Sequence, residues 1–436
     1  MNQLLKPNTQ IQMESANMTC EIEQFIGGGA QGEVYKANMG GNPVALKWYY
    51  PQAASDDQKE ALEMLIHKSA PTDKFLWPQM IVFNKDTKGF GYIMPLREPQ
   101  FKGIVDLMKR RIEPSFLALA TAGLELAHNF LQLHTQGLCY KDISFGNVFF
   151  NPKTGDVRIC DNDNVRIDGT KADICGTPRF MAPEIVRGES LPNIQTDLFS
   201  LAVLLFYMLA LHHPLEGKKE SEIKCFDLPA MNKLYGTEPV FVFDPNDNSN
   251  HPVQGYHDNA ILYWAIYPQF LKDMFIKAFT DGIRDPQSRV RESEWRSVMA
   301  RLRDSVLYCG NCGSENFYDI DMLQKSRRIN PCWSCNKMIQ PPPRIRIEKQ
   351  IIMLNHDTKL YPHHIDPQRI YDFSQPAASM NQHPKEPNIW GLKNLSAEKW
   401  VATTKEGTFK DIEPGKSVSL AGGTVINFGK VQGEIR

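Results

Sequence analysis

An aspartate and an asparagine five residues apart, Asp142 and Asn147 in Tyr140-Lys141-Asp142-Ile143-Ser144-Phe145-Gly146-Asn147, constrain this chain more than any other feature. An acid that can take a proton and an amide that can hold a metal, carried on one loop after a helical stretch, suit chemistry driven by positioning and charge neutralisation. Alone, the pair would mark only a turn. Its weight comes from the elements that surround it in fixed order.

Upstream, Ile26-Gly27-Gly28-Gly29-Ala30-Gln31-Gly32-Glu33-Val34 carries glycines at 27, 29 and 32 and a valine two residues later. Glycine lets backbone approach phosphate oxygens without a Cβ in the way. Dinucleotide-binding folds share this spacing, but there the loop opens a helix. Here Val34-Tyr35-Lys36-Ala37 reads as a strand, so the loop lies between two strands. Val44-Ala45-Leu46-Lys47 then places a lysine on the next strand, fifteen residues after Gly32. Downstream, Val157-Arg158-Ile159-Cys160-Asp161 is a short apolar strand ending in an acid, fourteen residues past Asn147. Gly176-Thr177-Pro178-Arg179-Phe180-Met181-Ala182-Pro183-Glu184, Thr196-Asp197-Leu198-Phe199-Ser200 and Asp285-Pro286-Gln287-Ser288-Arg289 complete the series.

Together these motifs make residues from about 20 to 304 resemble a eukaryotic-type serine/threonine protein kinase. The resemblance implies transfer of the ATP γ-phosphate to protein hydroxyls, the chain itself included. It makes Asp142 the base, Asn147 and Asp161 the Mg²⁺ ligands, and Lys47 the residue that aligns the phosphates. The amides of Gly27, Gly28, Gly29 and Gly32 would cover those phosphates. Ile26, Val34, Ala45, Met94, Leu96 and Phe149 would enclose the adenine, with Leu96 rather than Pro95 as hinge donor because proline has no N–H. Thr177 would bond near Asp142 and favour Ser/Thr acceptors, and Glu184 with Arg289 would form a buried ion pair. Lys59-Glu60-Ala61-Leu62-Glu63-Met64-Leu65-Ile66 has helical spacing, and Glu63 is expected to pair with Lys47; spacing does not separate it from Glu60. Departures from the family are Ser144 in place of a lysine, Tyr140-Lys141 in place of His-Arg, and Asp161-Asn162-Asp163 in place of Asp-Phe-Gly. Tyr140 is expected to hydrogen-bond Asn162. Thr170, the sole hydroxyl between Asp163 and Thr177, faces a lysine at 141 rather than a forked arginine, so activation-loop control should be weak. The contrasting reading is a pseudokinase scaffold, which typically loses the lysine, base or metal acid; all stand here.

The net charge of −1 and pI near 6.8 give no electrostatic case for a nucleic-acid partner, and Lys325-Ser326-Arg327-Arg328 reads as a solvated face. The longest apolar run, Leu198–Leu211, is fourteen residues, short of the ~20 that span a bilayer, and is read as a buried helix. A cytoplasmic protein with no membrane partner is expected. Cys20, Cys139, Cys160, Cys175 and Cys225 are scattered and read as reduced thiols. Cys309-Gly310-Asn311-Cys312 and Cys332-Trp333-Ser334-Cys335, nineteen residues apart, have the spacing of a structural zinc ribbon. The paired His212-His213 before Pro214 read as packing residues. Residues 216–260 are long and polar, a disordered insert or a docking surface.

After Pro341-Pro342-Pro343, strand-like alternation in 344–347, 350–354, 417–420 and 424–428 indicates a small β-sandwich. Pro414-Gly415-Lys416-Ser417-Val418 and Ile426-Asn427-Phe428-Gly429 resemble the end of a forkhead-associated domain. Its Ser-x-x-His motif becomes Tyr361-Pro362-His363-His364, which points to a scaffold more than a phosphopeptide reader. The expected architecture is α+β: a kinase domain at 18–304 (lobes 18–95 and 96–304), a zinc ribbon at 305–340 and a forkhead-associated-like sandwich at 344–436. With Phe75-Leu76-Trp77-Pro78 and Gly91-Tyr92-Ile93-Met94-Pro95-Leu96, the whole resembles bacterial kinases. Those are encoded beside a metal-dependent protein phosphatase and a von Willebrand A-type protein in stress- or tellurite-resistance clusters.

Overall fold

A computed structural model describes residues 4–13, 19–170, 176–326 and 329–436. Cys175, Arg327 and Arg328, read above, lie outside them. The chain divides into two compact units, Met1–Tyr263 with Met274–Arg296, and Trp264–Asp273 with Ser297–Arg436. Residues 264–273 and 297–304, expected with the first domain, group with the second unit. Gln269 N–H bonds Asp319 Oδ2 at 2.8 Å, and Tyr318 N–H bonds the Ser305 carbonyl at 2.7 Å.

The first unit begins with β1 (Gln10–Met13), β2 (Thr19–Gly28), β3 (Gly32–Met39) and β4 (Asn42–Tyr49), then helix α1 (Asp56–Lys68), β5 (Met80–Phe83) and β6 (Gly91–Pro95). The strands close into an antiparallel barrel in the order β1-β2-β3-β4-β6-β5, with β5 pairing back onto β1. Strand β4 is buried on both faces from Val44 onward, so its two-residue period sorts side chains between two cores. Val44, Leu46 and Trp48 join Ile22, Tyr35 and Ile93 inside one core; Ala45 and Tyr49 join Leu62, Tyr92 and Met94 in the other. Lys47 therefore points to the second face. Gly32 has a steric reason: a Cβ there would lie 2.1 Å from the Trp48 carbonyl oxygen. Helix α1 is capped by the Ser55 hydroxyl, which accepts Gln58 N–H, and it buries Gln58, Leu62 and Leu65.

Two helices organise the rest of this unit. Phe116–Thr135 starts at the Ser115 cap, and Ile194–Ala210 starts at Asn193, whose side chain accepts two backbone N–H groups. Every residue from Thr196 to Ala210 is buried, so the apolar run is a core helix. No described helix is long and apolar enough to cross a membrane. His213 is a packing residue: its Nδ1 accepts Leu215 N–H, its Nε2 lies 2.9 Å from the Arg179 carbonyl, and burial pushes its pKa down to about 4. The 216–260 segment folds into short helices, tied down by Asn250, whose amide donates to the Leu215 and Val240 carbonyls at 2.9 and 2.7 Å.

In the second unit, six antiparallel strands run in the order Gln350–Met353, Arg344–Ile347, Gln432–Ile435, Val425–Asn427, Trp400–Thr403 and Phe409–Ile412. Four more run in the order Lys359–Leu360, Ala378–Gln382, Trp390–Asn394 and Ser417–Ser419. Both sheets feed one core: Ile345, Ile352, Trp400 and Ile426 from the first, Leu360, Leu392 and Val418 from the second.

A buried charge network ties the two long helices of the first unit together. His134 is 8% exposed; its Nε2 lies 3.2 Å from Asp197 Oδ2, and its Nδ1 meets Glu292. Burial alone would push the imidazole down, but the two carboxylates outweigh it and raise its pKa to about 9 from 6.5. A folded-state pKa above the unfolded value gives stability that is complete below about pH 6.5 and lost as pH rises through about 9, on the order of 3 kcal/mol at most. Urea unfolding between pH 6.5 and 9.5 should show this loss in the wild type and a flatter profile in His134→Gln. Equal slopes would contradict it.

Candidate active site

The hairpin formed by Val148–Phe150 and Val157–Ile159 builds the centre of the site. Its register pairs Ile159 with Val148, and Cys160 N–H bonds the Asn147 carbonyl at 2.8 Å, so Asn147 and Asp161 emerge side by side. Phe75-Leu76-Trp77 extends this hairpin: Leu76 N–H donates to the Ile159 carbonyl at 2.8 Å. The loop ahead of it is gripped from below by Asp197, whose carboxylate accepts the N–H groups of Tyr140 and Lys141. That grip supports a left-handed backbone at Lys141 (φ 71°); Asp161 is also left-handed (φ 52°).

Asp142 is oriented at both oxygens. Oδ1 accepts the Thr177 hydroxyl at 2.7 Å, as expected, and Oδ2 accepts Asn147 Nδ2 at 3.0 Å. Asn147 Nδ2 also donates to the Asp142 carbonyl, which leaves Oδ1 as the atom that can meet a metal. Glu184 and Arg289 form the expected two-pronged ion pair at 2.8 and 2.7 Å, and the Arg289 side chain is 2% exposed. Lys141 Nζ donates to the Thr170 carbonyl at 3.0 Å, and the Thr170 hydroxyl bonds the Ile167 carbonyl at 2.7 Å.

Lys47 departs from expectation. Its ammonium lies 3.0 Å from Asp161 Oδ1, 2.9 and 3.1 Å from the oxygens of Asp163, and 3.2 Å from Gln31 Oε1. Glu63 does not reach it: that side chain is half-exposed and lies 3.6 Å from Lys59, and Glu60 is exposed. The helix instead presents Gln58, which bonds the Tyr49 hydroxyl and the Asp163 carbonyl at 3.0 and 3.3 Å. Asp163 also accepts the hydroxyls of Tyr49 and Tyr92. Burial acts to raise both carboxyls. At Asp163 the lysine and the tyrosines win and hold it below the usual range; Asp161 is pushed up by burial and by its acidic neighbour against the pull of Lys47. The sequence does carry a signal for this arrangement: Tyr49 follows Lys47 by two on the same strand face, and Tyr92 is its cross-strand register partner.

The expected Tyr140–Asn162 bond is absent. Both side chains are fully buried, but the Tyr140 hydroxyl donates to the Cys160 carbonyl, and the Asn162 amide donates to the Leu76 and Ile159 carbonyls at 2.9 Å each. The left-handed turn at Asp161 swings Asn162 back over its own strand, where backbone carbonyls take both protons of its amide.

Around the nucleotide position, Ala45 and Met94 are register partners, and Val34 and Leu96 pack on the same cluster. Ile26 is 49% exposed at the mouth, and the Arg97 guanidinium covers one face of Phe149 at 3.9 Å. Gly27 and Gly28 end β2, and Gly29 N–H bonds the Gly32 carbonyl at 2.9 Å, closing the loop.

In the second unit, the sulfurs of Cys309, Cys312, Cys332 and Cys335 all lie within 4.8 Å of one another. The two turns are alike: the Cys309 carbonyl accepts Gly313 N–H and the Cys332 carbonyl accepts Asn336 N–H, each at 2.8 Å. Asn311 and Asn316 amides point at the sulfurs of Cys335 and Cys332 at 3.5 Å, and hydrogen bonds from Ser314 bring the Cys312 thiol down to about 6. A cluster of Asp304, His363 and His364 differs. The Nδ1 atoms of both histidines accept backbone N–H, from Tyr371 at 2.9 Å and Tyr361 at 2.8 Å, so in the neutral rings Nε2 carries the proton and offers no lone pair.

The family model of the protein kinase domain matches residues 20–263. A stretch covering 23% of the chain is 37% identical to a putative protein kinase C delta type homolog of Drosophila melanogaster, of which it spans 15%. A stretch covering 26% of the chain is 34% identical to the atypical protein kinase C of the same fly, spanning 19% of it. A probable serine/threonine-protein kinase of Zea mays is 28% identical over 36% of the chain, which takes in 25% of that relative. The matched stretches thus span a quarter or less of these relatives. With the matched domain taking in more than half of the chain, and with its lysine, acid, amide and threonine assembled around one hairpin, this chain belongs to the protein kinase family.

Proposed function

We propose that this protein transfers the γ-phosphoryl group of Mg-ATP to serine or threonine hydroxyls of proteins, itself included. The observation that carries the reading is the Asp142 carboxylate, fixed by Thr177 and Asn147, on the same hairpin as Asp161. The acceptor oxygen bonds to the γ-phosphorus, the bond from that phosphorus to the β-γ bridging oxygen breaks, the hydroxyl proton passes to Asp142, and ADP leaves. Asn147 and Asp161 would hold Mg²⁺, which supplies charge neutralisation at the phosphates. The fit is chemical: an amide oxygen and a carboxylate with 34% side-chain exposure suit a hard cation. Lys47 orients the phosphates, the Gly27–Gly32 backbone covers them, and Ala45, Met94, Leu96, Val34, Ile26 and Phe149 enclose the base. Thr177, a short hydroxyl bonded to the base, favours serine and threonine acceptors. Ser144, 5% exposed, brings no cation to the γ-phosphate, so a slower enzyme than a fully equipped kinase is expected.

The four cysteines would hold one structural zinc, since two alike turns converge four sulfurs and amide donors face them, with no fifth position needed. The two sheets sharing one core support a forkhead-associated-like sandwich acting as a scaffold. A cytoplasmic bacterial setting, with a metal-dependent phosphatase and a von Willebrand A-type protein as partners, follows from the resemblance alone.

Purified protein should incorporate label from [γ-³²P]ATP in the presence of Mg²⁺, and Asp161→Asn should abolish incorporation while its melting curve is retained. A wild type that neither binds Mg-ATP nor labels any protein would favour the scaffold reading instead. Reduced protein kept free of chelator should contain one zinc per chain by elemental analysis, and Cys309→Ser should lose it. Zinc-free protein with an unchanged fold would refute the metal assignment.

A further inference from the structure

Among the described residues, Lys47 has two carboxylate partners, Asp161 and Asp163, and neither comes from helix α1. We propose that Asp163 is the positioning residue that orients Lys47 for phosphoryl transfer, in place of a helix carboxylate. The inference rests on the phosphotransfer reading above and names the anchor of its lysine.

The two acids flanking Lys47 are not equivalent. The Asp161 side chain is 34% exposed and faces the site, where its charge serves the metal; the Asp163 side chain is 0% exposed. Both oxygens of Asp163 are occupied: Lys47 Nζ approaches them at 3.1 and 2.9 Å, the Tyr92 hydroxyl donates to one at 2.9 Å, and the Tyr49 hydroxyl donates to the other. A carboxylate so enclosed can neither accept a substrate proton nor ligate a metal from solvent. What its charge can do is balance and aim the ammonium beside it.

The surroundings are built for that task. Lys47, Tyr49 and Tyr92 share one sheet face, by strand period and by cross-strand register, and all three converge on Asp163. The backbone of Asp163 is held in turn. Its carbonyl accepts Gln58 Nε2 at 3.3 Å and Arg166 at 2.6 Å, and Arg166 also donates to Gln58 Oε1 at 2.5 Å. Helix α1 therefore contributes a neutral amide that steadies the loop, and the loop contributes the charge that steadies the lysine. When Asp161 turns to a metal, Lys47 keeps Asp163. A displaced α1 would leave the lysine's ion pair intact, because the anchor and the metal-binding acid sit on one turn.

The test uses the full-length protein and initial autophosphorylation rates across a range of ATP concentrations. In an active wild type, Asp163→Asn should lower the maximal rate at least about 50-fold while the half-saturating ATP concentration rises less than about fivefold, the pattern of a lost transition-state interaction. Glu63→Gln and Glu60→Gln should each stay within about twofold of wild type. In a Lys47→Met background, Asp163→Asn should cost nothing further, because its effect runs through the lysine. If Asp163→Asn fails to give a cooperative melt, Tyr92→Phe, which removes one of the orienting hydroxyls, runs the same cycle with a smaller expected loss. Overturning results are an Asp163→Asn enzyme within about threefold of wild type, independent losses in the double variant, or a collapse of rate in Glu63→Gln or Glu60→Gln. An inactive wild type would defeat the phosphotransfer reading, and this inference with it, and is distinguished by the wild-type rate alone.

Discussion

The site depends on the buried ammonium of Lys47. Lys47 is 4% exposed and is pinned between Asp161 and Asp163 in the second core of the barrel. A charge in that position is tolerated only with partners in place; stripping one partner from a buried pair typically costs about 3–5 kcal/mol. The tyrosines matter for the same reason. Without the hydroxyls of Tyr49 and Tyr92, the second acid would carry unmatched lone pairs inside an apolar cluster. Strand β4 thus does two jobs by its period: Leu46 and Trp48 fill one core while Lys47 and Tyr49 assemble charge on the other face.

A second anchor sets where that charge meets the reaction. Asp197, buried in the central helix, accepts two backbone N–H groups of the loop that carries Asp142, and it shares protonated His134 with Glu292. The left-handed residues Lys141 and Asp161 sit at either end of the region so constrained. Strained backbone at a site persists when its surroundings over-determine it, and here they do: hairpin register on one side, a charged network on the other. The Glu184–Arg289 pair ties Ala182-Pro183-Glu184 to the same helix layer, where Arg289 also bonds the Gln195 carbonyl.

Much of this is legible in the sequence, for physical reasons. Asp142, Asn147, Asp161 and Lys47 announce themselves because their chemistry requires fixed residue types at short separations. The strand that carries Lys47 and the unbroken apolar run inside Ile194–Ala210 are legible too, as are Arg344–Ile347 and Gln350–Met353. What is hidden is tertiary. That α1 presents Gln58 and not Glu63 depends on the rotation of the helix about its axis, which a run with acids on several faces does not define. Asp163 as partner needs the left-handed bend at Asp161, invisible to propensity. The same bend sends Asn162 to backbone carbonyls rather than to Tyr140. In the second unit, Ala378–Gln382 and Phe409–Ile412 escape notice because they carry too few apolar residues to show alternation; three of four positions in the latter are exposed.

The central claim is that the anchor of Lys47 lies on the turn that follows Asp161 and not on helix α1. A crystal structure of the full chain with Mg²⁺ and a non-hydrolysable ATP analogue tests it most directly. The account predicts Asp161 and Asn147 on the metal, with Lys47 between the phosphates and an unmoved Asp163, and with Glu60 and Glu63 still in solvent. A rotated α1 that delivers either glutamate to Lys47, with Asp163 released from it, would contradict the account.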